Sequence, residues 1–179
     1  MMLKAKRNRW IVLIATVVVL AVVNGAIWQK ERHLAEGEIV YLELAPVDPR
    51  SLIQGDYMAL NFALANQIHS ALLQQEAVLQ DELQKASNGY VVVRLDEQRI
   101  GHFQRLDEGT SLADDERQLR YRVRNGQVRF ATDAFFFQEG HGERYEAARY
   151  GQFRVNGQGE PLLVALYDDE LNRLGAITK

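Results

Sequence analysis

The segment LRYRVRNGQVRFAT (residues 119–132) contains the clearest turn signal in the chain. Apolar or aromatic residues alternate with arginines around Asn125-Gly126, which is the preferred pair for a two-residue type I′ turn. Such a turn fixes the register of the flanking strands, so Val123 should face Val128 and Tyr121 should face Phe130. We therefore predict an antiparallel hairpin here.

The same register concentrates positive charge on one face of the hairpin. Arg122 lies opposite Arg129, and Arg120 and Arg124 share their side. Like charges directly opposed across two strands are unfavourable. We therefore expect a carboxylate from a neighbouring element or a partner among them. An anionic ligand or a lipid headgroup is the alternative.

The segments on either side of this hairpin also predict mostly β structure. Residues 38–44 (EIVYLEL) alternate, residues 57–62 form a second strand, and YVVVRL and RIGHFQRL flank a DEQ turn. Residues 64–86 have helical spacing, SNG (87–89) supplies a left-handed cap at Asn88 or Gly89, and a short helix lies near 143–149. The predicted fold class is α+β: a mainly antiparallel β exported domain, as a curved sheet or partial barrel with one long helix, preceded by a single N-terminal transmembrane helix.

The N-terminus predicts the location. MMLKAKRNRW contains four basic and no acidic residues, and residues 11–28 contain no charge. At about 1.5 Å per residue, 18 residues approach the hydrocarbon thickness of a bilayer. We predict a cytoplasmic basic tail (1–10), a lipid-embedded anchor (11–28), a stalk (29–37) and a periplasmic or extracytoplasmic domain (38–179), single-pass in a bacterial inner membrane. The alternative is a cleaved signal peptide with its apolar core at 11–23, although Val23-Asn24-Gly25 is a poor cleavage site.

Composition excludes several kinds of chemistry. The chain has no cysteine, which removes disulfides, thiolate catalysis and iron–sulfur clusters. Beyond residue 28, 17 basic residues face 24 acidic ones, for a net charge of −7, which argues against nucleic acid as a partner. The sequence has no G-x-S-x-G, H-E-x-x-H or Walker A motif. We therefore predict no catalytic residue, no metal site and no cofactor.

Two loops carry the candidate binding residues. In PVDPRSLIQGDYMALNF (46–62), DPRS suits a type I turn, and Tyr57 lies on the strand face opposite Met58. The second loop, 138–146, holds several carboxylates around a histidine. Together they could present a partner surface; the alternative is an exported hydrolase or a small-ligand or metal-binding enzyme that uses Asp56 and the Glu139–Glu146 loop. The candidate residues are Asp48, Arg50, Asp56, Tyr57, Glu139, His141, Glu143 and Tyr145.

The motif GDYMALNF (55–62) resembles that of the bacterial GDYXXLXY family, with Phe62 in place of the last tyrosine. PVDPRSL before it and FFFQEGHGERYEAARYGQFRV after it are also similar to this family. The resemblance implies a single anchor, an exported domain and no established enzymatic activity. Such proteins tend to be encoded beside multi-span membrane proteins, which implies a multi-span partner.

The same motif is similar to type I signal peptidases at Pro49, Gly55 and Asp56. Their nucleophilic serine would fall at Pro46, and the only lysines beyond the stalk are Lys85 and Lys179. Because both catalytic groups are missing, we predict a non-catalytic binding or assembly module that acts with an integral membrane partner.

Overall fold

The computed structural model describes the backbone of residues 2–45, 53–54, 57–75 and 87–175. Its side chains are described over residues 10–45, 57–74 and 87–175. The chain divides into two compact units, Met1–Glu36 and Gly37–Lys179. The boundary falls next to the predicted start of the exported domain at residue 38.

The first unit is one helix, α1 (Met2–Glu36). Within it, Trp10–Glu36 is long and apolar enough to span a membrane, and it is the only such segment in the described part of the chain. The apolar side chains from Trp10 to Trp28 are exposed, as expected for a helix that is apolar on every side. Residues 29–36, predicted as a stalk, continue the same helix.

The second unit consists of short antiparallel strands. In chain order these are β1 (Glu38–Glu43), β2 (Ile53–Gln54), β3 (Tyr57–Ala59), β4 (Ser87–Leu95), β5 (Gly101–Leu106), β6 (Glu116–Arg124), β7 (Gln127–Arg129), β8 (Ala134–Phe136), β9 (Tyr150–Val155) and β10 (Pro161–Tyr167). They form three sheets with the orders β1-β9-β10, β2-β3-β8 and β5-β4-β6-β7. All paired strands within these sheets are antiparallel.

Single contacts join the sheets at their edges. The Tyr41 amide of β1 donates to the Arg99 carbonyl at 3.0 Å, next to a bridge between Tyr41 and Ile100. On the other side of the unit, the Arg120 amide of β6 donates to the Gly159 carbonyl, in the turn between β9 and β10, at 2.7 Å. The result is a curled half-barrel, which confirms the predicted fold class.

The helix α2 (Ala63–Gln75) packs against β5, β7 and β1. Ile68 is fully buried, and Leu64 and Ala65 are nearly so. They meet the inward side chains of the strands, including Val40, Leu42, Val91, Val93, Leu119 and Phe153. The predicted helix 64–86 is confirmed over residues 64–75, and residues 76–86 lie outside the described part.

The hairpin β6–β7 has the predicted register. Val123 pairs with Val128 and Arg122 with Arg129. Asn125 and Gly126 have φ values of 52° and 72°, which a type I′ turn requires at both central positions. The local turn signal was therefore sufficient to place these two strands.

The predicted helix cap at 87–89 is wrong. Ser87, Asn88 and Gly89 are the first residues of β4 and pair with β6. Gly89 serves packing there, because a Cβ atom at this position would lie 2.5 Å from the ring of Tyr121. The glycine allows a close approach between neighbouring strands.

Candidate functional site

The strand β3 places the candidate residue Tyr57 in the middle of a small sheet. It pairs with β2 on one side and β8 on the other. Met58 lies opposite Phe135 and is buried, as the sequence predicted for its face. Tyr57 lies opposite Phe136, on the other face of the sheet.

The partly buried Tyr57 contacts the exposed ring of Phe136; we name these two residues the Tyr57–Phe136 pair. Their ring centroids are 5.9 Å apart and the planes are inclined by 43°. Phe136 is 74% exposed, more than any other large apolar side chain described between residues 37 and 175. An aromatic ring that stays in water does not gain the free energy of burial. A surface ring supported by a second aromatic residue is therefore suited to contact a partner.

The opposite face of β8 packs inward. Phe135 and Phe137 each lie 5.2 Å from the ring of Tyr145, measured between centroids. Tyr145 is partly buried and packs against the core. It therefore lies on the other face of β8 from Tyr57, and its role in binding stays a prediction.

The loop after β8 exposes its carboxylates separately. Glu139 and Glu143 are exposed, His141 is partly buried, and Gly142–Tyr145 form a single 3-10 turn. Within the described ranges, no three His, Asp or Glu side chains lie close enough together to hold a metal ion. The His–carboxylate cluster that the sequence allows between Glu139 and Glu146 is thus not assembled.

Three other candidates, Asp48, Arg50 and Asp56, lie outside the described residues. The predicted convergence of Asp56 with the Glu139–Glu146 loop therefore stays a prediction. Tyr57 pairs with Phe136, the last residue of β8, and the second loop begins two residues later at Gln138. This brings one member of the first predicted loop close to the start of the second.

The arginine face of the hairpin receives the expected carboxylates. Arg120 donates to Glu160 at 2.9 Å, and Arg129 pairs with Asp133. Arg122 donates to the carbonyl of Ala131 at 3.1 Å. These acids come from the turn after β9 and the segment after β7, so carboxylates of neighbouring elements pair with two of the four arginines.

The carboxyls of the unit whose pKa is shifted lie in ion pairs and in turns. The hydrogen bond from Arg117, reinforced by the charges of Arg117 and Arg99, lowers the pKa of Glu38 against the opposing effect of burial. The hydrogen bond from Arg105 lowers the pKa of Glu116. In the described part of the chain, every carboxyl whose pKa clearly departs from its ordinary value is lowered: Glu38, Asp96, Glu116 and Asp168. A general acid at neutral pH needs the opposite shift.

A second surface feature was not predicted from the sequence. A cleft of about 470 Å³ lies between residues 59–62, the first turns of α2 and the strand β7; we name it the β7 cleft. Its lining combines buried rings with the polar side chains of Asn66, His69 and Arg129. Its volume is within the range of small-ligand sites.

Comparison with known protein families gives a match. The model of a family described as GDYXXLXY protein matches residues 19–166, which is well over half of the chain. The matched region begins inside the apolar part of α1 and ends in β10, so it includes the Tyr57–Phe136 pair and the β7 cleft. No curated protein and no solved structure matches the chain.

Proposed function

The chain belongs to the GDYXXLXY family, and we propose that it is a membrane-anchored, non-catalytic docking module whose exported domain binds an integral membrane partner. In this proposal α1 crosses the inner membrane of a bacterial cell once. The basic N-terminus stays in the cytoplasm, and the Gly37–Lys179 unit lies in the periplasm. The partner is a multi-span membrane protein, as the family resemblance implies.

The anchor supports this location. Eighteen uncharged residues separate the basic segment from Gln29, and tryptophans stand at both ends of the run. Interfacial tryptophans and a preceding basic cluster favour a spanning helix with a cytoplasmic N-terminus. A tether of this kind confines the domain to the membrane surface, which raises its effective concentration toward a membrane partner.

The Tyr57–Phe136 pair is the observation that carries the docking role. Phe136 lies opposite Tyr57 in the register, so the family motif directly supports the most exposed ring of the unit. Binding energy at protein interfaces concentrates in a few aromatic residues that become desolvated. A partner that covers this ring would gain the apolar area that the domain alone leaves in water.

The chemistry of the described residues favours binding over catalysis. The shifted carboxyls belong to ion pairs and turns, and the exposed carboxylates of the 139–146 loop are not gathered into a cluster. An acid or base for hydrolysis would need a desolvated carboxyl next to a place for a substrate.

Site-specific photo-crosslinking in native membranes tests the proposal. A photoreactive phenylalanine analogue at position 136 should crosslink to an integral membrane protein. The same analogue at Leu112, which is 44% exposed and distant in sequence from the motif, is the matched control. Phe136→Ser should weaken capture of that protein by about 2 kcal/mol, or roughly thirtyfold, with unfolding unchanged, as for an interface hot spot.

Tyr57→Ala should lower the crosslinking yield at position 136, because the ring that supports Phe136 is removed. Equal crosslinking from positions 112 and 136, or crosslinks only to soluble proteins, would contradict the proposed function.

A further inference from the structure

The β7 cleft has an unpaired strand edge as one wall. β7 is the last strand of the order β5-β4-β6-β7, and within the described ranges no strand pairs with its outer side. In a two-residue hairpin, Arg124 and Gln127 exchange the hydrogen bonds that close the turn. The next pair, Val123 and Val128, is then a non-hydrogen-bonded pair. The amide and carbonyl of Val128 therefore point away from β6, toward the cleft.

The position of the Val128 side chain agrees with this geometry. Val128 is 9% exposed and belongs to the core cluster, yet it lines the cleft. Because the side chain of Val128 packs in the core, we infer that its backbone faces the cleft. No hydrogen bond from another described residue reaches that amide or carbonyl. An unpaired strand edge presents backbone groups that can pair with another chain, so this edge is suited to receive one.

The opposite wall of the cleft, formed by residues 59–62, is held in place by backbone hydrogen bonds. The Leu60 amide donates to the Asp133 carbonyl, and the Ala45 amide donates to the Asn61 carbonyl, each at 2.8 Å. The floor consists of the nearly buried rings of Phe62 and Phe130, whose centroids lie 6.3 Å apart. The cleft is therefore a slot with a rigid apolar floor and one hydrogen-bonding edge.

The charge of Arg129 in the cleft is paired, while its buried Nε has no hydrogen-bond partner among the described residues. The guanidinium of Arg129 pairs with Asp133 and donates to the Gln127 side-chain oxygen at 2.8 Å. The remaining polar contributors on the α2 side are Asn66 and His69. An anionic ligand would have to displace Asp133, and a cation would meet Arg129. The cleft thus favours a ligand that is uncharged and that both donates and accepts hydrogen bonds.

We propose that the β7 cleft binds an extended, uncharged peptide segment of another protein, which adds to the edge of β7 as a further strand. A peptide backbone supplies the acceptor and donor that Val128 needs, and every second side chain would lie on the Phe62–Phe130 floor. Main-chain pairing gives affinity, and the apolar floor gives a preference for small or medium apolar side chains at alternate positions. This site is separate from the Tyr57–Phe136 pair and does not depend on the proposed docking role.

Selection from a random octapeptide library tests this binding site. The full-length protein is held in nanodiscs, and empty nanodiscs provide the background. We expect enriched peptides to be uncharged with alternating apolar residues, and their binding to be insensitive to salt. A bound peptide should slow amide hydrogen exchange at Val128, because the new strand takes up that N–H group.

Two variants of neighbouring exposed helix positions locate the binding. Asn66→Trp places a large ring over the cleft and should weaken peptide binding at least tenfold, whereas Gln67→Trp, at a position that does not line the cleft, should leave it unchanged. Circular dichroism of both variants checks the fold. Phe136→Ser should also leave peptide binding unchanged, which separates this site from the docking surface.

Several results would overturn the inference. These are the absence of enrichment over empty nanodiscs, enrichment of charged peptides whose binding falls with salt, equal binding to the Asn66→Trp variant, or binding that leaves exchange at Val128 unaltered.

Discussion

Glu38→Gln tests how much the ion pair between Glu38, the first residue of β1, and Arg117 contributes to the stability of the domain. Arg117 donates to Glu38 through Nε at 2.5 Å and Nη2 at 3.0 Å, and Arg99 lies 3.4 Å away. Glu38 and Arg117 are each 33% exposed at the side chain, so solvent screens part of the attraction. Glutamine keeps an acceptor oxygen but removes the charge.

The size of the effect follows from this geometry. Hydrogen bonds to charged groups contribute about 1.5–3 kcal/mol when well protected, and partly exposed pairs contribute less. We therefore expect Glu38→Gln to lower the free energy of unfolding by about 1 kcal/mol at pH 7. For a domain of this size, that corresponds to a fall of about 2–4 °C in Tm.

The pH dependence gives an independent check. The pKa of Glu38 is lowered in the folded state, so the unfolded chain takes up the proton first as the pH falls. The stabilisation is complete above the ordinary glutamate pKa of about 4.3 and is lost as the pH falls through the folded value. The difference between wild type and Glu38→Gln should therefore shrink in acid.

Urea unfolding of the full-length protein in a non-ionic detergent, followed by far-ultraviolet circular dichroism, measures both quantities. Glu36→Gln is the control, because Glu36 pairs with Arg32 at 2.7 Å on an exposed helix surface. That pair should contribute only about 0.3–0.5 kcal/mol. The reasoning fails if the two variants are equally stable at pH 7, or if the Glu38→Gln difference persists unchanged below pH 4.

Three further predictions concern packing and location. Gly151→Ala should cost about 1–3 kcal/mol in urea unfolding, because its new Cβ atom would lie 3.0–3.2 Å from three buried or partly buried side chains, whereas Gly157→Ala should be neutral, since nothing lies within 4 Å. Ile68→Ala should cost about 2–5 kcal/mol, whereas Leu73→Ala on the same helix, at a side chain that is 45% exposed, should cost far less. Alkaline phosphatase fused after residue 179 should be active in intact cells, and a reporter that works only in the cytoplasm should be silent there; the reverse pattern would contradict the proposed orientation.

Local sequence signals predicted the elements whose causes are local. Asn125-Gly126 determined a turn, and that turn determined the pairing of β6 with β7. Alternation in residues 38–44 placed Val40 and Leu42 in the core. The helix cap predicted at Gly89 was wrong because glycine is favoured both at helix ends and where two strands pack closely. The contact with the ring of Tyr121, a residue distant in sequence, determines which of the two applies.

The surface features were not predictable in the same way. In the run Ala134–Phe137, three consecutive phenylalanines carry no alternation, so nothing in the sequence separates the exposed Phe136 from its neighbours. The separation comes from the pairing of β8 with β3, which places Phe135 opposite the buried Met58 and Phe136 opposite Tyr57, while Tyr145 packs on Phe135 and Phe137. The β7 cleft likewise depends on how β7 stands beside residues 59–62, which no local pattern specifies.

The strand pairing of β1 has a consequence for biogenesis. β1 begins at Glu38, immediately after the N-terminal helix, but its antiparallel partner β9 lies far along the chain, with Glu38 opposite Val155. Pairing across such a separation is slow, because a long loop must close before any ladder bond forms. The first strand therefore stays without its main partner until nearly the whole domain has been synthesised. During synthesis, the apolar face of β1 therefore lacks its cover until residues 150–167 have been made.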